Sequence, residues 1–242
     1  MNEFLIVDLG LMDYRETWSL QRRLVAARKA GAIRDVLLIC EHPHVITLGR
    51  SGRTEHLLAS ERLLRQMGVE FLPTDRGGDI TYHGPGQLVG YPILNLAEHR
   101  RDVGWYVRQL EETMIRATAD FGMRAVRKPG RTGIWIEEQG EENKLGAIGI
   151  HLSRWVTSHG FAYNVATDLR YFVLIVPCGI AGRGVTSLER LLHRRVSPGE
   201  ALTPMAMRFG EVFEREPRWA TRGELERELA GHEQTLEPVA AE

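Results

Sequence analysis

An α/β or α+β domain is predicted by three observations: short β-branched runs such as 36–40 and 145–152, long capped amphipathic segments such as 102–121, and the lack of any internal repeat. At 242 residues and 43% apolar content the chain can bury one large core. The expected division is a main domain over 1–215 and a helical C-terminal appendage over 216–242, the last dozen residues being mobile.

Residues 2–9 read as a strand, and Asp13 to Glu16 as a capping pattern for a helix with Leu20, Leu24 and Ala27 on one face and Gly31 as its stop. The runs 36–40 and 45–48 are two strand segments separated by Pro43, both expected in one central sheet. A short helix over 57–67 closed by Gly68, a strand over 69–72 and a strand over 88–96 follow. The most strongly patterned helix, 102–121, offers Trp105, Leu110, Met114, Ala117 and Phe121 to the core and ends at Gly122. Strands are expected at 133–137, 145–152 and 161–165, with charged 137–142 as a hairpin connection. Ser197-Pro198-Gly199-Glu200 combines an N-cap, a first-turn proline and a capping glutamate for a helix through Phe213, and a second capped helix begins near Thr221.

Charge is balanced, 31 Lys plus Arg against 32 Asp plus Glu, which gives no global field for nucleic acid or anionic lipid. The longest largely apolar stretch, 171–182, is too short to span a bilayer, and no basic region leads into an apolar signal core near residue 1, so a soluble, cytoplasmic protein is expected. Two cysteines, Cys40 and Cys178, provide neither a disulfide framework nor a four-cysteine zinc site.

Two segments carry chemistry. In 76–87, four glycines and Pro85 lie among Arg76, Thr81, Tyr82, His83 and Gln87, a loop that lets backbone approach a ligand closely while offering many hydrogen-bonding groups. A tight turn with incidental polar residues is the plainer reading, against which the density of polar groups weighs. The segment is neither a Walker A loop nor a Rossmann fingerprint. Cys178 follows the apolar run 172–176 and Pro177 and precedes Gly179, at the end of an expected buried segment, where a backbone N–H could face a developing oxyanion. Cys40, inside an apolar strand, fits a buried inert thiol. His42 and His44 lack a third ligand at a telling spacing, so no metal is expected. Lys144 is a lone cation ahead of small residues at a strand end.

Taken together these segments resemble the octanoyltransferases of lipoate biosynthesis, within the biotin/lipoate protein ligase superfamily. The resemblance runs from His42 to Arg190. It rests on Arg76-Gly77-Gly78 through Gln87 to Tyr91-Pro92, Lys144-Leu145, Ala147-Ile148-Gly149, Val156 to Gly160, Asn164-Val165, Cys178-Gly179-Ile180 and Val185 to Leu188. It implies a mixed central β-sheet flanked by helices and a catalytic domain over 1–215. It further implies transfer of an octanoyl group from octanoyl-acyl carrier protein to a lysine of a lipoyl domain, in 2-oxoacid dehydrogenases or the glycine cleavage H protein. The transfer would run through a thioester on Cys178, with Lys144 as its partner and no cofactor. The implied substrate wall is Arg76, Gly77, Gly78, Asp79, Ile80, Thr81, Tyr82 and His83, with Ala147, Ile148 and Gly149, and Gly160, Phe161 and Ala162. Gly146 and Tyr163 stand where many members carry alanine and leucine, which bears on the shape of the acyl tunnel.

A neighbouring ammonium lowers a thiol's pKa from about 8.5, so Lys144 beside Cys178 would favour the thiolate, and the lysine could return a proton in the second half-reaction. Oxyanion donors would come from N–H groups around Cys178 and from the loop at His83. Two alternatives are weighed: an ATP-dependent lipoate or biotin ligase of the same fold, which needs no motif cysteine, and a catalytically silent binder of lipoyl domains or acyl carriers.

Overall fold

A computed structural model describes residues 3–138, 140–176 and 184–236. The chain runs β1 (Glu3–Leu11), α1 (Tyr14–Lys29), β2 (Val36–Glu41), β3 (Val45–Leu48), α2 (Glu61–Gln66), β4 (Glu70–Pro73), β5 (Ile80–His83), β6 (Gln87–Ile93), α3 (Val103–Ala119) and β7 (Val126–Lys128). It continues with β8 (Arg131–Glu138), β9 (Glu141–Ser153), β10 (Val156–Asn164), β11 (Gly184–Val185), α4 (Leu188–Leu192), α5 (Pro198–Phe213), β12 (Glu216–Trp219) and α6 (Arg222–Leu236). The main sheet has the order β12-β1-β2-β6-β10-β9-β8-β7, with β11 beside β9. It is mixed: β1 is parallel to β2 and β12, and antiparallel pairs run from β2 through to β7.

Strand alternation fills both faces of this sheet. In β1, Phe4 and Ile6 join one core and Leu5 and Val7 the other; in β2, Leu37 and Ile39 oppose Val36, Leu38 and Cys40. The first core is closed by α3 and α5 through Tyr106, Leu110, Met114, Phe209 and Phe213, and the second by α1 and α6 through Leu20, Leu24, Leu225 and Leu229. The helix ends follow the caps read from the sequence. Asp13 accepts from Glu16 N–H, Asp102 from Trp105 N–H, and Ser197 and Glu200 form a reciprocal capping box. Gly31, Gly68 and Gly122 take positive φ just past three of the helices.

Four expectations change. β3 does not enter the main sheet but forms a three-stranded one with β4 and β5, because the chain turns at Pro43. α2 starts at Glu61 on the Ser60 cap, and Leu57, expected in the helix, instead makes a bridge to Ile175. The run 172–176 is not uniformly buried: Leu174 and Ile175 are, whereas Val173, on a 3-10 turn over Leu169–Leu174, is 72% exposed. Residues 216–236 begin with a strand paired to β1 and continue into a helix whose Leu225 and Leu229 are buried, so they are built into the sheet and its second core. Cys178 with its neighbours, and the tail from 237 on, lie outside the described residues. No helix among the described residues is long and apolar enough to cross a membrane.

One polar cluster is nearly dry. Asp35 accepts from Arg28 Nε at 2.8 Å, His99 Nε2 at 2.6 Å and Asn95 N–H at 3.0 Å. Burial alone would raise its pKa, but the His99 and Arg28 hydrogen bonds outweigh that and hold the carboxyl below its usual range. Removing the carboxylate strands a buried guanidinium. Asp35→Ala is expected to cost about 3–5 kcal/mol in urea unfolding at neutral pH; a loss under 1 kcal/mol would mean that Glu98, which also accepts from Arg28, suffices alone.

Candidate active site

The segment 76–87 is half loop and half strand. Its strand, β5, pairs antiparallel with β3, and its loop is fixed at both sides. Arg76 donates through Nε to Thr47 Oγ1 at 3.0 Å, through Nη2 to the Thr47 carbonyl at 2.6 Å, and through Nη1 to the Gly77 carbonyl at 3.1 Å. Gly49, Arg50 and Ser51 donate backbone N–H groups to the carbonyls of Asp79, Arg76 and Gly78. On the other side Gly77 N–H donates to the Ile150 carbonyl at 2.7 Å. That carbonyl is available because β8 pairs with β9 only as far as Gly146.

Between the loop and the strands lies a cavity of about 570 Å³. Arg76, Gly77, Gly78, Asp79, Ile80, Thr81 and His83 line it from the loop, Lys144, Ala147, Ile148 and Gly149 from β9, and Gly160, Phe161 and Ala162 from β10. The register Gly149↔Gly160 and Ala147↔Ala162 sets small residues opposite each other and leaves room between the strands and the loop. Tyr82 alone of the expected wall residues is absent. The alternation of β5 turns it into a separate apolar cluster with Ile46 and Leu64, where its hydroxyl bonds His44 Nδ1 at 2.8 Å. Lys144 stands at the register of Trp135 and Val185, its Nζ 4.7 Å from the Trp135 ring centroid.

Sequence reading left out of the wall Tyr14, Val89, Tyr91, Val103, Val107 and His159 on the far side, and also Ser51, Gly130, Arg131, Thr132 and Ile150. The i, i+2 spacing of Val89 and Tyr91 on β6 and the i, i+4 spacing of Val103 and Val107 on α3 were the available signals. Three histidines gather there with fixed tautomers. Gln87 Nε2 donates to both the Tyr82 carbonyl and Asn164 Oδ1, so its Oε1 accepts from His83 Nδ1 at 2.7 Å. Neutral His83 therefore keeps Nε2 as an acceptor, and its side chain supplies no oxyanion donor. His42 donates from Nδ1 to the Met12 carbonyl and accepts from the Tyr91 hydroxyl, each at 2.7 Å. His159 donates from Nε2 to Asp75 at 2.7 Å. Burial pulls His83 down to about 3 and His42 to about 4, and lowers His159 despite Asp75. Cys40 is buried against His42, and burial pushes its thiol well up, as expected of an inert cysteine. Among the described residues no group of three or more His, Cys, Asp or Glu is placed to hold a metal ion.

This fold and site define a lipoyl-ligase type of catalytic domain: the sequence matches the lipoyl protein ligase A/B catalytic domain family over residues 13–210, and the chain belongs to it. An octanoyltransferase of Solibacter usitatus is 52% identical over 85% of this chain and 91% of its own, and one of Acidobacterium capsulatum is 48% identical over 93% and 96%. With such relatives the chain is an acyltransferase. In fold it is similar to the bipartite lipoate protein ligase of Thermoplasma acidophilum, with a TM-score of 0.73 at 18% identity over 96% of this chain and 92% of that one. It is also similar to lipoate-protein ligase A bound with ATP, with a TM-score of 0.70 at 15% identity over 96% and 93%.

The neutral histidines make stability pH-dependent. Their folded pKa values lie below the unfolded value of about 6.5, so the unfolded state binds more protons as pH falls and stability declines below pH 6.5 towards pH 4. His42 and His83 together set a limiting slope of about 2.7 kcal/mol per pH unit. Replacing His83 by Gln is expected to remove about half of this slope in urea titrations between pH 6.5 and 5; an unchanged slope would show that the ring is already protonated when folded.

Proposed function

We propose that the chain transfers an octanoyl group from octanoyl-acyl carrier protein to a lysine of a lipoyl domain, with Cys178 as the transient acyl carrier. The observation that carries this reading is the cavity itself. Small facing residues on β9 and β10 and the apolar side chains of Val89, Val107 and Phe161 leave a slot in the volume range of ligand sites, and Lys144 shares its wall. An alkyl chain in that slot gains about 0.8 kcal/mol per buried methylene.

The described chain on either side of Cys178 is fastened near this wall. Val176 N–H donates to the His56 carbonyl, and His56 Nδ1 bonds Asp79, which lines the cavity. Downstream, Gly184 and Val185 pair with Asn143 and Lys144, and Thr186 N–H donates to the Lys144 carbonyl. In the proposed cycle the Lys144 ammonium stabilises the Cys178 thiolate. The thiolate attacks the donor thioester, the carrier thiolate leaves and takes the lysine's proton, and Lys144 then accepts a proton from the incoming amine as the acyl group passes to it. Exchange of one thioester for another is nearly balanced, and the final amide drives the sequence forward. The substrate wall is proposed to be Arg76 to His83 without the Tyr82 side chain, together with Ala147, Ile148, Gly149, Gly160, Phe161 and Ala162.

Incubation with octanoyl-loaded carrier and no acceptor is expected to leave a hydroxylamine-sensitive acyl group on Cys178, located by peptide mass mapping. Lys144→Arg is expected to lose most turnover, since arginine keeps its proton. An acyl group mapped to Cys40, or wild-type turnover by Lys144→Arg, would sink the dyad.

The transfer is also expected to proceed without ATP or magnesium, with free octanoate inert even when both are supplied. ATP-dependent modification from the free acid that survives Cys178→Ala would make the adenylating reading the better account.

A further inference from the structure

A second cleft, of about 510 Å³, opens on the outer side of α1 against the β9–β10 hairpin. Its walls carry Arg22 and Lys29 from α1 and His151 and Arg154 from the hairpin, together with Trp18, Gln21 and Asp75. Three permanent cations thus face one carboxylate. That carboxylate is already committed to His159 Nε2, a bond that holds it down to about 2.

Among the described residues no carboxylate pairs with Arg22, Lys29 or Arg154. Lys29 Nζ donates only to Ser153 Oγ at 2.7 Å, and the Arg22 guanidinium lies over the Trp18 ring at 5.3 Å. Burial, and then the like charge of Arg154, lower the Lys29 pKa, so the cations are crowded without a counter-charge. Some other exposed arginines do have carboxylate partners, as Arg15 has Glu70 and Arg208 has Asp120. A second observation concerns Gln21, which is 1% exposed on the wall of the cleft. Its Oε1 accepts from His159 N–H at 2.8 Å, which fixes the amide, and its Nε2 has no acceptor.

We infer that this cleft is a binding site for a small molecule bearing a phosphate group, the phosphate held by Lys29, Arg22 and Arg154. Its organic body would lie along Trp18 and the apolar edge of Val25, Ala26 and Ala30. Phosphate offers several acceptor oxygens to the clustered donors, and the cleft is far larger than the ion alone requires. The site stands apart from the proposed transfer chemistry. Ser153 and Lys144 lie nine residues apart on β9, about 30 Å at the rise of a strand.

The test is calorimetric titration of the full chain with phenyl phosphate, inorganic phosphate and phenol, a readout that needs no acyl transfer. Phenyl phosphate is expected to bind, inorganic phosphate more weakly and phenol not at all. Lys29→Ala and Arg154→Ala should each weaken binding by about tenfold. Arg154 is exposed at a hairpin turn, so Arg154→Glu supplies a charge reversal with little risk to folding, checked by circular dichroism. Absence of phenyl phosphate binding in the wild type, affinity unchanged by both Lys29→Ala and Arg154→Glu, or phenol binding as tightly as phenyl phosphate would each overturn the assignment.

Discussion

The contact on which the site depends is the seating of the 76–78 loop against β9. The hydrogen bond from Gly77 N–H to the Ile150 carbonyl joins two sheets that share no strand pairing. It is possible because β8 stops pairing at Gly146, leaving the later carbonyls of β9 to find another donor, and because Gly149 presents no side chain there. A Cβ on Gly149 would lie 2.9 Å from the Gly77 carbonyl oxygen and 3.3 Å from Arg76 Cδ, and one on Gly49 would lie 2.3 Å from the Gly78 carbonyl oxygen. The glycines of this region thus serve backbone packing first, and the cavity is what remains between backbones held this close.

Arg76 shows how the seat is made rigid. Its guanidinium spends three donors on Thr47 and Gly77, so within the proposed substrate wall it acts by holding the loop that presents Gly78 to Thr81. The far end of the cavity is built differently, from neutral imidazoles and tyrosine hydroxyls that satisfy one another. Burial lowers His42 and His83 and raises Tyr14 and Tyr91, so every group there favours its uncharged form at neutral pH. An uncharged, internally hydrogen-bonded floor suits an alkyl chain far better than an ionised one, because no charge has to be desolvated when the chain enters.

Most of the helices were legible in the sequence, since their signals are local. Asp13, Asp102 and Ser197 cap the helices they precede, and Gly31 and Gly122 follow their ends. The longer strands were legible as well, but β5, β7, β11 and β12, each two to four residues long, were not read as strands, because runs that short carry little alternation to recognise. Strand partnership was not legible at all. Nothing in Val45 to Leu48 distinguishes a main-sheet strand from one paired with β4 and β5, because pairing is decided by where the chain can turn after Pro43. The loop wall was read through a family resemblance and not from periodicity, and the Tyr82 side chain leaves that wall because a strand, not a loop, carries it. Tyr14 was not placed in the wall because it comes from α1, far from the motifs in sequence, and His159, beside Gly160 on β10, stood in a quoted motif without being given a place in the wall.

The sheet order β6-β10-β9-β8 also lets one long strand carry both parts of the proposed site. β9 carries Lys144 where β8 and β11 flank it, small residues at Gly146, Ala147 and Gly149 where β10 takes over, and Ile150 where the loop docks. A side chain proposed to handle protons and a slot proposed to hold an alkyl chain are therefore fixed relative to each other by one backbone, roughly 20 Å long between Lys144 and Ile150. The hydrogen-bond relay from His83 through Gln87 and Asn164 to the Thr186 carbonyl, and from Thr186 N–H to the Lys144 carbonyl, ties the loop and the strand after the Cys178 segment to that same backbone. Positional accuracy in an acyl transfer is worth several orders of magnitude in rate, and here it rests on main-chain bonds and buried amides instead of on long flexible side chains.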